Sequence, residues 1–413
     1  MKSKNANQIR GWIVFIACMV YYGTLVGVLN NCFGVLISAI ITAEGYTSSA
    51  LSGFYSLKTV AQALSLLFTS RLLQKRSFKF VAFGVAAFSS LSMVLMYFYR
   101  VPWLWNISGL MYGFGCSLCM LIPTTIVNNW FIKNKATLMG IVTMLSGVFG
   151  MFMSPLISRY ILAHGWRNTA LTLGIVSFIL FFSAFLLERR PSDVNALPFG
   201  GDGSETPAEQ KTEDKNHPHE KKPITLHEAG VYLFILLTVS MAGQGAQITS
   251  YIPQFSTSLG YPLTVGGTLT SAVMIGNFST KILFGLVCDR IGVWSSLQLF
   301  LGLLCLAYLL LCFFGNTLPV LYVACVLLGF SYMIGIALSM SSISLFPPEE
   351  FAVRYSRASM LNTIITIPVP MFISYVFDRT GSFRPVFIYY AAAMIVGIVL
   401  VALRDRLKVT SRR

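Results

Sequence analysis

Residues 188–227 open with Glu188-Arg189-Arg190-Pro191, pass through Gly200-Gly201-Asp202-Gly203 and close on Lys221-Lys222-Pro223. The stretch mixes charges of both signs with Pro and Gly and has almost no large apolar side chain. It has nothing to bury and reads as a flexible linker. Its flanks are the opposite: 55% of the 413 residues are hydrophobic and only 11% are charged, which no water-soluble domain matches. Runs of about 20 apolar residues, enough to cross roughly 30 Å of hydrocarbon as helix, fall near 12–41, 47–73, 78–99, 103–129, 136–161 and 168–187 before the linker. After it they fall near 228–251, 265–288, 294–315, 319–345, 356–377 and 383–403. The chain is therefore expected to be an all-α integral membrane protein with twelve transmembrane helices in two six-helix halves, residues 1–187 and 228–413. The first run is too long, and too closely followed by others, for a cleaved signal peptide.

The formal charge of +15 does not point to nucleic acid, because the basic residues sit in short clusters at alternate helix ends. With the N-terminus inside, twenty-three Lys and Arg fall on the cytoplasmic side and five (Arg100, Arg159, Arg167, Arg379 and Arg384) outside. Such a bias is the mark of membrane orientation. It places both termini and the linker in the cytoplasm. The lack of targeting segments and the short tails suit a bacterial plasma membrane.

All eight cysteines lie in or at the ends of spans, where they act as small apolar residues. Cys116-Ser-Leu-Cys119 has redox spacing but lacks the soluble α/β setting of such motifs. His217 and His219 stand in the polar linker and read as solvated rather than metal-bound. The sequence holds no Gly-x-x-x-x-Gly-Lys-Ser/Thr loop, zinc-ligand cluster or catalytic triad pattern. Neither an ATP-driven pump nor an enzyme is expected, and no cofactor.

The span interiors contain two lysines, Lys58 and Lys281, and no Asp or Glu to neutralise them. A charge near the bilayer centre costs about 2.5–3.5 kcal/mol, so the pair calls for a counter-charge from elsewhere. An anionic substrate supplies one. Lys281 lies about 12 Å along its helix from Asp289, too deep for a simple interfacial anchor, and Asn277 shares its face one turn earlier. Asn30 and Asn31 interrupt the first span near its middle, and Gln247 with Tyr251 interrupts the seventh ahead of Pro253. All four are candidates for lining a cavity or for bonding helix to helix. With no carboxylate or histidine inside the spans, the usual proton relay is missing.

The halves echo each other in Gly45-Tyr46 and Gly260-Tyr261, as a transporter built from repeated bundles does. After the eighth span, Gly285-Leu-Val-Cys-Asp289-Arg290-Ile-Gly292 resembles the cytoplasmic signature of the major facilitator superfamily. The resemblance implies that Asp289 and Arg290 take part in gating. The corresponding place in the first half, Ser70 to Lys79, lacks the acidic residue and the glycines. The segment Asn129-Trp130-Phe131 through Gly140, Gly147, Gly150 and Pro155 to Gly165-Trp166-Arg167 is similar to the oxalate/formate antiporter and monocarboxylate transporter branch. That likeness implies that Lys281 occupies the place of a carboxylate-binding arginine, and that Tyr332 contacts substrate. The branch's eleventh-helix lysine has no counterpart in Asn362-Thr-Ile-Ile-Thr-Ile-Pro368, and the second charge comes from Lys58 instead.

The expected function is secondary transport of a mono- or dicarboxylate around a cavity lined by helices 1, 2, 4, 5, 7, 8, 10 and 11, by a protein acting as a monomer in the lipid bilayer. Two alternatives stay open. One is an exporter of amphiphilic compounds, which the aromatics and 17 methionines would suit. The other is a transporter-like sensor that binds without moving its ligand.

Overall fold

Hydrocarbon offers a backbone N–H or C=O no partner, so spans of this length fold as helices that satisfy themselves. The computed structural model describes residues 2–132, 135–194, 226–346 and 351–404. Ten of its helical stretches are long and apolar enough to cross a membrane. Two further crossings bring the described total to twelve. The 50-residue run Thr137–Leu186 is divided at Gly165, whose φ of 79° and ψ of 161° end one helix and start the next. Ser48–Lys75, with 28 residues, is rich in Ser, Thr and Gln and thus less apolar, yet it extends about 42 Å at 1.5 Å per residue.

The crossings are α1 (Ile9–Glu44), α2 (Ser48–Lys75), α3 (Phe78–Met96), α4 (Pro102–Trp130), α5 and α6 (137–164 and 166–186), α7 (Ala229–Ser258), α8 (Leu263–Ile291), α9 (Val293–Phe313), α10 (Leu318–Leu345), α11 (Arg354–Thr380) and α12 (Arg384–Leu403). Residues 195–225, with His217 and His219, lie outside the described residues, as does the tail after Arg404. The first residues of the linker are anchored rather than free. Glu188 pairs with Lys79 at 2.5 Å, and its carbonyl accepts from Trp130 Nε1 at 2.7 Å.

The first and fourth helices of each half lose regular α geometry near their middles. In α1 a π-helical turn spans Gly23–Asn30, and α4 is interrupted between Cys116 and Leu121. In α7 a π-helical turn at Leu236–Ser240 precedes a 3-10 turn at Thr249–Tyr251, and α10 has a 3-10 turn at Gly329–Met333. Such breaks free backbone groups and recur at functional sites.

The halves meet chiefly at the end away from the chain termini, called distal below. There Ser38 Oγ lies 3.4 Å from Thr257 Oγ1, the rings of Tyr55 and Tyr251 are 5.9 Å apart, and Ser56 Oγ donates to the Ile367 carbonyl at 2.6 Å. A long α5–α8 seam joins the halves as well. Ser271 Oγ donates to the Met151 carbonyl at 2.6 Å, and a Cβ on Gly147 would come within 3.1 Å of the Met274 carbonyl. At the opposite, proximal end, α4 and α10 pack mainly within their own halves, and Met120, Met340, Ile343, Met360 and Ile364 are exposed. The space between the halves is closed distally.

Candidate functional site

The break in α1 builds the site. The Tyr112 hydroxyl, from α4, donates to the Leu25 carbonyl inside the π-helical turn at 3.1 Å. Beyond the turn Asn30 Nδ2 donates to Asn31 Oδ1 at 3.2 Å, and Asn31 Nδ2 donates to the Ser146 carbonyl of α5 at 3.1 Å. Asn31 is buried and fastened at both ends, so its neighbour's amide oxygen is held in one direction. Lys58 Nζ donates to that oxygen, Asn30 Oδ1. The ammonium also sits 5.8 Å from the centre of the Tyr112 ring, within cation–π reach. Gly113 sets its height. A Cβ there would strike the Lys58 carbonyl and come within 2.8 Å of Ala61 Cβ, so α4 lies directly on the α2 backbone.

Lys281 arrives from the other half. Its Nζ donates to the Thr143 carbonyl at 2.7 Å and to Ser146 Oγ at 3.3 Å. The two lysines thus stand at the ends of one hydrogen-bonded chain running Lys58, Asn30, Asn31, Ser146, Lys281. Four members belong to the first half, and Lys281 alone crosses the interface. Both lysines are half-buried. Two ion pairs occur among the described residues, Lys79 with Glu188 and Arg167 with Glu44. Neither touches the central lysines, whose hydrogen-bond partners are uncharged oxygens. Replacing a neutral acceptor by a carboxylate strengthens such a bond, from roughly 0.5–1.5 to 1.5–3 kcal/mol.

The remaining candidates divide by position. Asn277 is buried where α8 crosses α10, with Oδ1 unpaired. Tyr332, in the α10 break, has its hydroxyl 3.0 Å from Thr249 Oγ1 in the α7 break. Gln247, half-buried on α7, makes no side-chain hydrogen bond within the described residues. Tyr251 belongs to the distal contact through its ring, 5.9 Å from that of Tyr55, while within its own half its hydroxyl donates to the Pro370 carbonyl at 2.9 Å and accepts from Ser374 Oγ at 3.1 Å. Asp289 and Arg290 are exposed at the proximal end of α8, without an ion pair among the described residues. The sequence reading did not single out Thr143, Ser146 and Tyr112. For Ser146 the available signal was its place among Gly140, Gly147 and Gly150, in a helix face small enough for close approach.

A family model described as Major Facilitator Superfamily matches residues 13–360. The chain is similar to human monocarboxylate transporter 10, 24% identical over 204 residues that cover 47% of this chain and 39% of that protein. It is also similar to the MFS-type transporter pynF of Aspergillus niger, 23% identical over 302 residues, 70% of this chain and 63% of that one. Both matches span less than two thirds of the relative's length. Among solved structures, a bacterial homolog of the human lysosomal transporter Spinster, inward-facing and occupied, superposes with a TM-score of 0.69 at 12% identity, covering 97% of this chain and 98% of that one. The nucleoside transporter NupG gives a TM-score of 0.71 at 13% identity over 95% and 98% of the two chains. At these identities the structures speak for the fold alone.

Proposed function

Because the chain belongs to the Major Facilitator Superfamily, we propose that it carries a small organic anion, a mono- or dicarboxylate, across the membrane by alternating access between its halves. The observation that carries this reading is the pair of half-buried lysines that share a hydrogen-bonded chain and have no carboxylate partner among the described residues. Each ammonium rests on neutral oxygens that a carboxylate displaces with gain. Desolvating the two lysines costs roughly 5–7 kcal/mol on insertion scales, and a bound anion offsets part of that. An occupied cavity closes more readily than an empty one, which favours exchange.

In this reading Lys281 is the principal anchor, since it alone joins the second half to the site. Lys58 is the second anchor, oriented by Asn30 and Asn31. Gln247, Asn277 and Tyr332 complete the walls contributed by the second half. Asp289 and Arg290 act when the proximal end closes. With the N-terminus in the cytoplasm, as the charge bias indicates, the conformation described faces inward, and the protein resides in the plasma membrane as a monomer. The likeness to a monocarboxylate transporter supports the substrate class.

Flux into proteoliposomes tests the reading. Lys281→Ala should lower carboxylate uptake at least tenfold, the scale of one lost charge-assisted hydrogen bond, while Lys281→Arg restores part of it. Unchanged saturable uptake by the alanine variant would remove the assignment.

A further inference from the structure

The first turn of α2 begins with N–H groups that lack a partner of their own helix. Its N-cap residue, Thr47, makes no side-chain cap hydrogen bond. The cap comes from the other half of the molecule. Ser48 N–H donates to Asp378 Oδ1 at 3.0 Å and Ser49 N–H to Asp378 Oδ2 at 2.7 Å, so a carboxylate in the last turn of α11 closes the end of α2 with both oxygens. A negative group at a helix N-terminus is favoured by the free donors and by the helix dipole together. Around this cap lies a second set of bonds. Ser48 Oγ sits 3.0 Å from Gln254 Oε1 of α7 and 3.1 Å from Ser374 Oγ of α11, and Ser374 Oγ in turn donates to the Tyr251 hydroxyl. Three helices from two halves converge on one serine.

We infer that Asp378 is the latch of the distal end: a helix cap supplied in trans, which must break each time the halves part there. The inference goes beyond the substrate assignment and rests only on the alternating-access part of the proposal. Ser48 is buried while Asp378 and Ser49 are exposed, so water replaces the carboxylate as soon as the contact opens. Capping of this kind biases an equilibrium by several-fold rather than locking it. A contact of that size holds the distal end shut at rest and still yields in every cycle. Sequence inspection overlooks it, because a single Asp at the end of the eleventh span reads as an interfacial charge.

Accessibility of a single buried reporter tests the latch without any substrate. Ser38 is buried against Thr257 across the distal contact, and all eight native cysteines are buried, so Ser38→Cys provides a reactive site over a quiet background. In purified protein, Asp378→Ala should speed its alkylation by a bulky maleimide about fivefold. Ser49→Pro removes one of the two N–H donors in the first helical turn, where the N–H has no partner within its own helix, and should raise the rate in the same direction. Ser49→Ala keeps that donor and should stay within twofold of the parent. Unchanged rates in both Asp378→Ala and Ser49→Pro overturn the latch, and so does an equal rise in Ser49→Ala. Because no transport is measured, loss of the carboxylate assignment would leave this result intact.

Discussion

The distal and proximal ends of the bundle are built from the same helices, yet among the described residues the polar contacts between the halves gather mainly at the distal one. At the distal end, hydroxyls, backbone amides and one carboxylate cross between the halves, from Ser38 to Thr257 and from Ser48 to Asp378. At the proximal end the charged pair Asp289 and Arg290 is exposed, with no ion-pair partner among the described residues. The signature that the sequence offers most visibly makes no ion pair among the described residues, while unremarkable serines hold the halves together.

The strongest way to break this contrast is to make the distal contact permanent. With Ser38 Oγ and Thr257 Oγ1 3.4 Å apart, the double variant Ser38→Cys, Thr257→Cys is placed for a disulfide. Oxidation should abolish turnover and reduction should restore it. Full activity of the cross-linked protein would mean that the distal end does not open.

A smaller effect separates the two ends of the lysine chain. Lys58→Gln should weaken a dicarboxylate by roughly 1–3 kcal/mol more than a monocarboxylate, which needs only Lys281. The ratio of the two apparent affinities is the quantity to measure, since a folding defect lowers both alike. Equal losses would make Lys58 a bond between helices and nothing more. Asn30→Asp sharpens the same point: an internal carboxylate beside Lys58 should compete with substrate, raising the apparent KM for a dicarboxylate about tenfold, the scale of a charge-assisted bond.

Smallest of all, Tyr251→Leu removes the ring that faces Tyr55 across the halves at 5.9 Å, a contact worth about 1 kcal/mol. Alkylation of the Ser38→Cys reporter should quicken by roughly fivefold, with substrate affinity unchanged. A shift in affinity without a change in alkylation would return Tyr251 to the cavity wall.

Most of the architecture was legible in the chain, and the exceptions have local causes. Ser48–Lys75 is the least apolar crossing, because one side of it faces the other half rather than lipid. The two spans read as separate around Gly165 are separate helices, divided by that residue's φ of 79° and ψ of 161°. In the site, Lys58, Lys281 and the Asn30–Asn31 break stood out because polar groups are costly in hydrocarbon and therefore conspicuous. Ser146, Thr143 and Asp378 did not. A serine hydroxyl and a threonine carbonyl carry no signal until a cation is laid against them.

The sequence by itself determined the solvent, the number of crossings and the presence of two charges without counter-ions. Each follows from the transfer of residues between water and hydrocarbon, a property nearly additive along the chain. Only the tertiary structure decided which partners those charges take and which end is closed. Lys281 meets Thr143 across 138 residues and Ser48 meets Asp378 across 330. A hydrogen bond depends on position to a few tenths of an ångström, and that precision arises only when the helices are packed.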